Sequence, residues 1–362
     1  MVSYTKPIDP HVHFRGEEYK YVNPSFLELG FRDARRAGLA GVLEQPNPER
    51  WLTEEVVVED RLEQGEEYRC NIHHGIHVGL TNNFEQVIRA LDMVNRGVGR
   101  SNSDKTFYTH STGNMGILDP DIQKHIWWMK GVTGYRGVSI GHFEDEQKFV
   151  GDFDYRDPIS HSQRQTPESE LVQVERQIRS AKDGRFRGTF YIAHVSNPDT
   201  VDYIERERGM GKLPFSVVLE ATFHHIFLNT DDYKIHGNKV KMNPPLRTPR
   251  LQERLLEYVL AGKFGVIGTD HAPHPVERKN SDSPPSGIPA LPFWPKGIEL
   301  LIKNGMSEED LADLTFHNAN SLFRLRLKPR IIEVEYDPTL WDAYGWNPFS
   351  RIDGGSMGLS FS

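Results

Sequence analysis

The chain has 362 residues, of which 37% are hydrophobic and 26% charged, with a formal net charge of −8. That length supports a large core in one main domain with small appendages, and an acidic balance without a compensating basic block argues against a nucleic-acid partner. No apolar run approaches the ~18 residues of a membrane span, and Ile8 to His13 reads as core strand rather than as a leader, so a cytoplasmic protein is expected.

In Ile8-Asp9-Pro10-His11-Val12-His13-Phe14-Arg15, strand alternation puts His11 and His13 on one face, where both imidazoles can reach one metal ion. Helical spacing over 26–37 ends at Gly38, and Gly41 to Asn47 reads as a strand running into a loop. The alternation repeats: helix 53–66, strand 71–78, helix 83–96, strand 105–109, helix 120–130 and strand 137–145. A polar insertion over 151–167 precedes helix 168–181, strand 189–196, helix 198–208, strand 215–221, helix 251–261 and strand 264–269. Because polar residues gather at the strand C-terminal ends, this α/β pattern fits a TIM-like (β/α)8 barrel better than an open doubly wound sheet. Residues 280–295, rich in Ser, Pro and Gly, are expected to loop over the barrel mouth. The little-periodic tail from 331 is expected to wrap the outside, giving a barrel over 1–327 and an extension over 328–362 that packs on it.

A single cysteine, Cys70, can form neither an internal disulfide nor a Cys-based zinc site and is expected to be a buried thiol. Any metal therefore falls to His, carboxylate or a modified side chain. The strand ends present His11, His13, Asn47, Lys105, His142, His194 and Asp270, the last in Thr269-Asp270-His271-Ala272-Pro273-His274 after an apolar run. Four histidines, an aspartate and a lysine could assemble a two-metal site, and zinc accepts imidazole and carboxylate. A free ammonium would repel the cations, whereas an amine that has taken up CO2 is an anionic carbamate able to bridge them. His73, His74, His77, His110, His125, His161 and His317 match no ligand motif; His224 and His225 are expected to support a ligand or loop, and Trp127 and Trp128 to be packing residues.

Seven motifs in one order then stand together: His11-x-His13-x-Arg15; Pro46-Asn47; Lys105 and Phe107 before Ser111 to Met115; His142-x-Glu144-Asp145; His194-Val195-Ser196; His224-His225 with Asn229 and Asn243 to Arg247; and Thr269 to His274. In these the chain resembles the dihydroorotases of the amidohydrolase superfamily over nearly its whole length. The resemblance implies reversible, metal-assisted closure of N-carbamoyl-L-aspartate to L-dihydroorotate in pyrimidine biosynthesis. It implies two zinc ions, the more buried on His11, His13 and Asp270 and the other on His142 and His194, bridged by a CO2-derived carbamate on Lys105. Asp270 would also move the proton, Arg15, Asn47 and His274 would bind the substrate carboxylate, and Gly287, Pro289 and Ala290 would belong to a substrate-contacting loop. The implied partners are the small-molecule substrate and either a second copy in a homodimer or another enzyme of the pathway.

In the larger members of the family that this chain resembles, a segment before His-x-His builds a small β-sandwich. Only ten residues precede His11, so that domain is expected to be reduced or absent, and the C-terminal tail irregular. Arg136 is a competing alignment for the bridging position, and an arginine cannot carry this carbamate. Hydantoinases and allantoinases share fold and metals, but Arg15 and Asn47 favour a substrate bearing a carboxylate. A silent homologue serving as a scaffold is the reading of another class, against which the complete ligand set argues.

Overall fold

The computed structural model describes residues 2–110 and 113–353, so Ser111, Thr112 and the end of the tail lie outside the described residues. Eleven strands are described: β1 (Val2–Thr5), β2 (Ile8–Val12), β3 (Gly41–Glu44), β4 (His73–Ile76), β5 (Val78–Gly79), β6 (Ser103–Phe107), β7 (Val138–His142), β8 (Thr189–Ile192), β9 (Ser216–Thr222), β10 (Val266–Gly268) and β11 (Ile331–Val334). Two runs, β2-β3-β4 and β5-β6-β7-β8-β9-β10, are parallel throughout. One residue, His77, separates β4 from β5, and its N–H bonds the Glu44 carbonyl at 2.9 Å. At the other side, Val12 forms a parallel bridge with His271, just past β10, and the His13 N–H reaches the His271 carbonyl at 2.7 Å.

Parallel neighbours require crossovers, and helices Phe26–Arg36, Glu55–Glu66, Phe84–Arg96, Pro120–Val132, Pro167–Asp183, Pro198–Gly209 and Pro249–Leu260 supply them. Their starts are written locally: Ser25, Asn83, Asp119 and Asn197 accept hydrogen bonds from first-turn N–H groups, and proline opens the helices at 120 and 198. Between helices and strands lies the main apolar layer. A second cluster fills the space inside the strands, where Ile8, Leu43, Ile140, Tyr191 and Val266 meet Phe316 and Phe323. Among the described residues, no helix is long and apolar enough to cross a membrane.

Several expectations change. Residues 280–295 are not one loop: Leu291–Phe293 is a 3-10 turn, Trp294–Lys303 an α-helix, and Ala290 to Trp294 are wholly buried. Pro and Gly in the composition hid a core-forming Ala-Leu-Pro-Phe-Trp run. The tail is also more regular than expected, because β11 pairs antiparallel with β1 and sets Ile332 and Val334 against Gly38. A four-residue strand whose partner is remote in sequence leaves too short an alternation to read. Cys70 is exposed rather than buried; it sits in a left-handed turn at φ 51 and accepts from Arg35 Nη1 at 3.2 Å. Trp127 is buried against Phe190 at 5.2 Å, but Trp128 is half-exposed beside His125.

Beyond β11 the chain is fastened by polar contacts: the Tyr344 hydroxyl donates to the buried Asp33 carboxylate at 2.6 Å, and Arg351 pairs with Asp232 at 2.8 Å. Replacing Tyr344 with Phe leaves Asp33 to Arg32 alone and is expected to lower stability by ~1–2 kcal/mol. Urea unfolding checks this, and an unshifted midpoint would show that the contact contributes nothing.

Candidate metal centre

Alternation along β2 turns Asp9, His11 and His13 to one side. His11 Nδ1 lies 2.8 Å from Glu220 Oε1 on β9, and His13 Nδ1 2.6 Å from Asn47 Oδ1 past β3. With a proton on each Nδ1, both imidazoles donate to these oxygens and carry lone pairs on Nε2. Both Nε2 atoms face the same oxygen: Asp270 Oδ1 is 3.3 Å from His11 and 3.0 Å from His13. Burial lowers the His11 and His13 pKa values to about 3 and about 4, so the rings are neutral at neutral pH. Two neutral imidazole nitrogens and a carboxylate oxygen converge with no proton between them, an arrangement that a cation relieves. These three residues form one group of potential metal ligands with mutually close donor atoms.

The other expected ligands are brought alongside. The His194 ring lies 5.3 Å from His11 and 4.6 Å from His142, centre to centre. His142 Nε2 contacts Glu144 Oε2 at 2.8 Å, while the buried His194 Nδ1 has no hydrogen-bond partner among the described residues. On β6, successive residues point to opposite faces. Asp104 turns outward to Lys130 at 2.7 Å, and Lys105 turns inward, fully buried, its Nζ lacking a hydrogen-bond partner among the described residues and 5.0 Å from the Phe107 ring centre. Burial lowers the Lys105 pKa to about 8, opposed by the charges of Glu220 and Asp270. Arg136 is at the opposite end of its strand, exposed, and donates to the Arg187 carbonyl at 3.3 Å.

A cavity of about 30 Å³ is lined by His11, His13, Arg15, Asn47, His142 and Asp270, with Ser286 and Gly287 on its far wall. A larger one of about 370 Å³, on the other side of Arg15, contains none of the histidines. Arg15 Nε donates to the Pro273 carbonyl at 3.2 Å, and Nη2 lies 2.9 Å from His274 Nε2. His274 thus stands behind Arg15, against the Ser286 carbonyl at 2.8 Å and the Tyr19 hydroxyl at 2.6 Å, and does not line the cavity. Gly287, at φ 128, has no room for a side chain: a Cβ would stand 2.5 Å from the Ala272 carbonyl oxygen and 3.0 Å from Arg15 Nη2. Pro289 and Ala290 do not line the cavity, and the Ala290 N–H donates to His271 Nδ1 at 3.0 Å.

Two residues bearing on the site were not singled out from the sequence. Glu220 interrupts the apolar run Val217-Val218-Leu219, which was the available signal; it also accepts from the Tyr191 hydroxyl at 2.7 Å. Burial pushes its carboxyl up to about 8, with the Tyr191 hydrogen bond opposing, and the two donors at its oxygens are the pattern of a carboxylate. Lys279 gave no sequence signal. It is wholly buried and donates to the carbonyls of Lys241, Pro285 and Gly287 at 2.9, 2.8 and 2.8 Å, pinning the loop that walls the cavity.

No family model matches the sequence. In structure the chain is similar to the L-hydantoinase of Arthrobacter aurescens, with a TM-score of 0.76 at 20% identity over 93% of this chain and 74% of that one. It is likewise similar to the dihydroorotase of Saccharomyces cerevisiae solved with 5-fluoroorotic acid, with a TM-score of 0.72 at 17% identity over 90% and 85%. These two likenesses establish the fold. In sequence, the dihydroorotase of Halobacterium salinarum is 30% identical over 336 residues, 90% of this chain and 72% of that protein. That of Methanosarcina mazei is 28% identical over 378 residues, 96% and 79%. The chain belongs to the dihydroorotase family.

Replacing Glu220 with Gln removes the acceptor at His11 Nδ1 and is expected to weaken affinity for an added divalent metal at least about tenfold, read by competition with a chromophoric chelator; unchanged affinity would make Glu220 a packing residue. Lys279→Met frees the loop and is expected to raise KM several-fold with a smaller change in kcat. A fall in kcat at constant KM would count against this positioning role.

Proposed function

We propose that the chain is a dihydroorotase: it hydrolyses the cyclic amide of dihydroorotate to N-carbamoyl-L-aspartate and catalyses the reverse closure in pyrimidine synthesis in the cytoplasm. Family membership supports the substrate. The convergence of His11 and His13 Nε2 on Asp270 Oδ1, at 3.3 and 3.0 Å, carries the metal part of the reading. In it, His11, His13 and Asp270 would hold one zinc ion and His142 and His194 a second, and Lys105 would serve both as a carbamate. The buried Lys105 amine suits that role because it lies on the strand paired with the one bearing His142. Formation of an N–C bond with CO2 and loss of a proton turns it into an anion in a site that favours one. The reading also takes residues 1–327 as a closed barrel, with the Val12–His271 bridge as its seam, and the rest as an extension packed on it.

Bound metal supplies polarisation of the ring carbonyl and acidification of the attacking water. Asp270 takes up the proton released as water adds to the amide carbon and delivers it to the ring nitrogen as the C–N bond breaks. In the closing direction it removes that proton from the attacking nitrogen. Arg15, fixed from behind by Pro273 and His274, presents its guanidinium to the substrate carboxylate. Asn47 lines the same cavity and orients His13, and the Ser286–Gly287 loop held by Lys279 excludes solvent.

The likeness to hydantoinases supplies the competing substrate, a cyclic amide that need not bear a carboxylate. The deciding experiment compares ring opening of dihydroorotate and hydantoin by protein supplied with zinc and bicarbonate. Dihydroorotate is expected to be preferred at least about 100-fold in kcat/KM, and preference for hydantoin would overturn the reading. Asp270→Ala is expected to cost at least about 100-fold in kcat, chelation to abolish turnover, and zinc to restore it. Lys105→Ala should bind less zinc by elemental analysis, and unchanged zinc content would exclude the carbamate bridge.

A further inference from the structure

The metal centre lies past the C-terminal ends of the strands; a second polar cavity lies at the opposite end. It has a volume of about 320 Å³ and is bordered by the residues that lead into β6 and β7, including Asn102, and by the turn that follows helix Asn318–Leu322. Five arginines line it, Arg96, Arg100, Arg136, Arg324 and Arg326, and among the described residues no carboxylate does. In a chain with a net charge of −8 this local imbalance is opposite in sign to the whole.

The five are not equally engaged. Arg96 is paired with Glu55 and Asp92 at 2.5 and 2.8 Å, and Arg100 with Glu66 at 2.6 Å. Arg136 reaches only the Arg187 carbonyl at 3.3 Å, and the side chains of Arg324 and Arg326 make no hydrogen bond or ion pair among the described residues. Their backbone is held in place nonetheless. With its carboxamide turned to satisfy both neighbours, Asn102 donates to the Leu322 and Phe323 carbonyls at 3.1 and 3.2 Å. Phe323 is buried inside the strands, 5.8 Å from the Tyr191 ring and 5.3 Å from that of His77. The turn that carries Arg324 and Arg326 is therefore anchored in the core.

Backbone geometry adds a second observation. Arg100, Arg324 and Arg326 sit at φ 53, 54 and 59, a left-handed region that glycine occupies freely and a branched chain with Cβ does not. Strain of this kind clusters at ligand sites, where the side chain is needed despite its backbone cost. Here three strained arginines surround one cavity.

We propose that this cavity binds a small polyanion of the di- or triphosphate class. Arg136, Arg324 and Arg326 bring three guanidiniums without a carboxylate partner, and planar forks of this kind grip phosphate oxygens in pairs. A single carboxylate would leave most of that charge uncompensated. The volume of about 320 Å³ is that of a small-ligand pocket.

Calorimetric titration of the zinc-loaded full chain with inorganic pyrophosphate tests this at about 20 mM and about 150 mM salt. Saturable binding at low salt is expected, persisting more weakly at the higher salt, with orthophosphate at least about tenfold weaker. The double variant Arg324→Gln, Arg326→Gln is expected to lose at least about tenfold in affinity, because each exposed guanidinium removed takes paired donors with it. Arg136→Gln, outside the strained turn, is expected to lose several-fold and carries the test if the double variant melts early. No saturable binding by the parent at low salt would overturn the proposal. So would equal affinity in parent and variants, or binding that survives the arginine substitutions and vanishes on removal of zinc, which would assign the anion to the metal centre.

Discussion

The arrangement depends on one buried carboxylate. Asp9, wholly inaccessible, accepts the N–H of His11 at 3.0 Å, the N–H and hydroxyl of Thr269 at 3.1 and 2.6 Å, and the Trp294 indole N–H at 2.9 Å. These donors come from β2, the end of β10 and the helix at Trp294, so one side chain ties the first parallel strand to the last. Burial pushes this carboxyl up to about 7, and the four donors oppose that shift by satisfying its oxygens. The tie also fixes register. A slip of one residue on β2 would turn His11 and His13 to the other face and leave Asp270 facing Pro10 and Val12. Asp9 therefore sets the geometry of the His11, His13 and Asp270 cluster from below, without belonging to it.

Buried lysines follow the same rule and meet three outcomes. Lys130 is neutralised by Asp104 and also donates to Ser139 at 2.9 Å. Lys279 has three carbonyls and no carboxylate, and spends its charge on holding a loop. Lys105 has neither, although it is the nearest of the three to the imidazole cluster by its electrostatic influence on His11 and His194. An amine that is buried, without a hydrogen-bond partner among the described residues and close to a cluster of buried histidines is suited to chemistry rather than to packing. The alternation of β6 separates it from Lys130: adjacent residues 104 and 105 serve opposite faces of the sheet.

How much of this could be read from the sequence follows from the range of each interaction. His-x-His, the acid after the last apolar strand and the run of strand–helix alternations are local patterns, and they survive folding as they stand. Glu220 and Lys279 act across 209 and 38 residues, on His11 and on the Lys241 carbonyl, and no local pattern announces such pairings. Composition misled where a segment is both turn-rich and apolar, as at Ala290 to Trp294, and where a residue type usually buried lies in a surface turn, as at Cys70. Pro289 and Ala290 were assigned to substrate contact with their loop as a unit, but only Ser286 and Gly287 of that loop reach the cavity.

The backbone shows where local preference is overruled. Arg15, His194 and Asp270 hold φ values of 54, 36 and 48, each at a point where the chain leaves a strand end beside the metal centre. A left-handed L-residue costs about 1–2 kcal/mol, a sizeable share of the ~5–15 kcal/mol that holds a typical fold together. All three side chains are buried, and their neighbours leave little freedom to relax: Arg15 is held by Pro273 and His274, and Asp270 by His11 and His13. Past these reversals the side chains of Arg15, His194 and Asp270 line one cavity. Three further positive-φ residues, Arg100, Arg324 and Arg326, stand around the arginine cavity at the other end. Six of the nine left-handed non-glycine residues among the described residues thus stand at these two places, and Cys70, Asn114 and Arg185 are the other three.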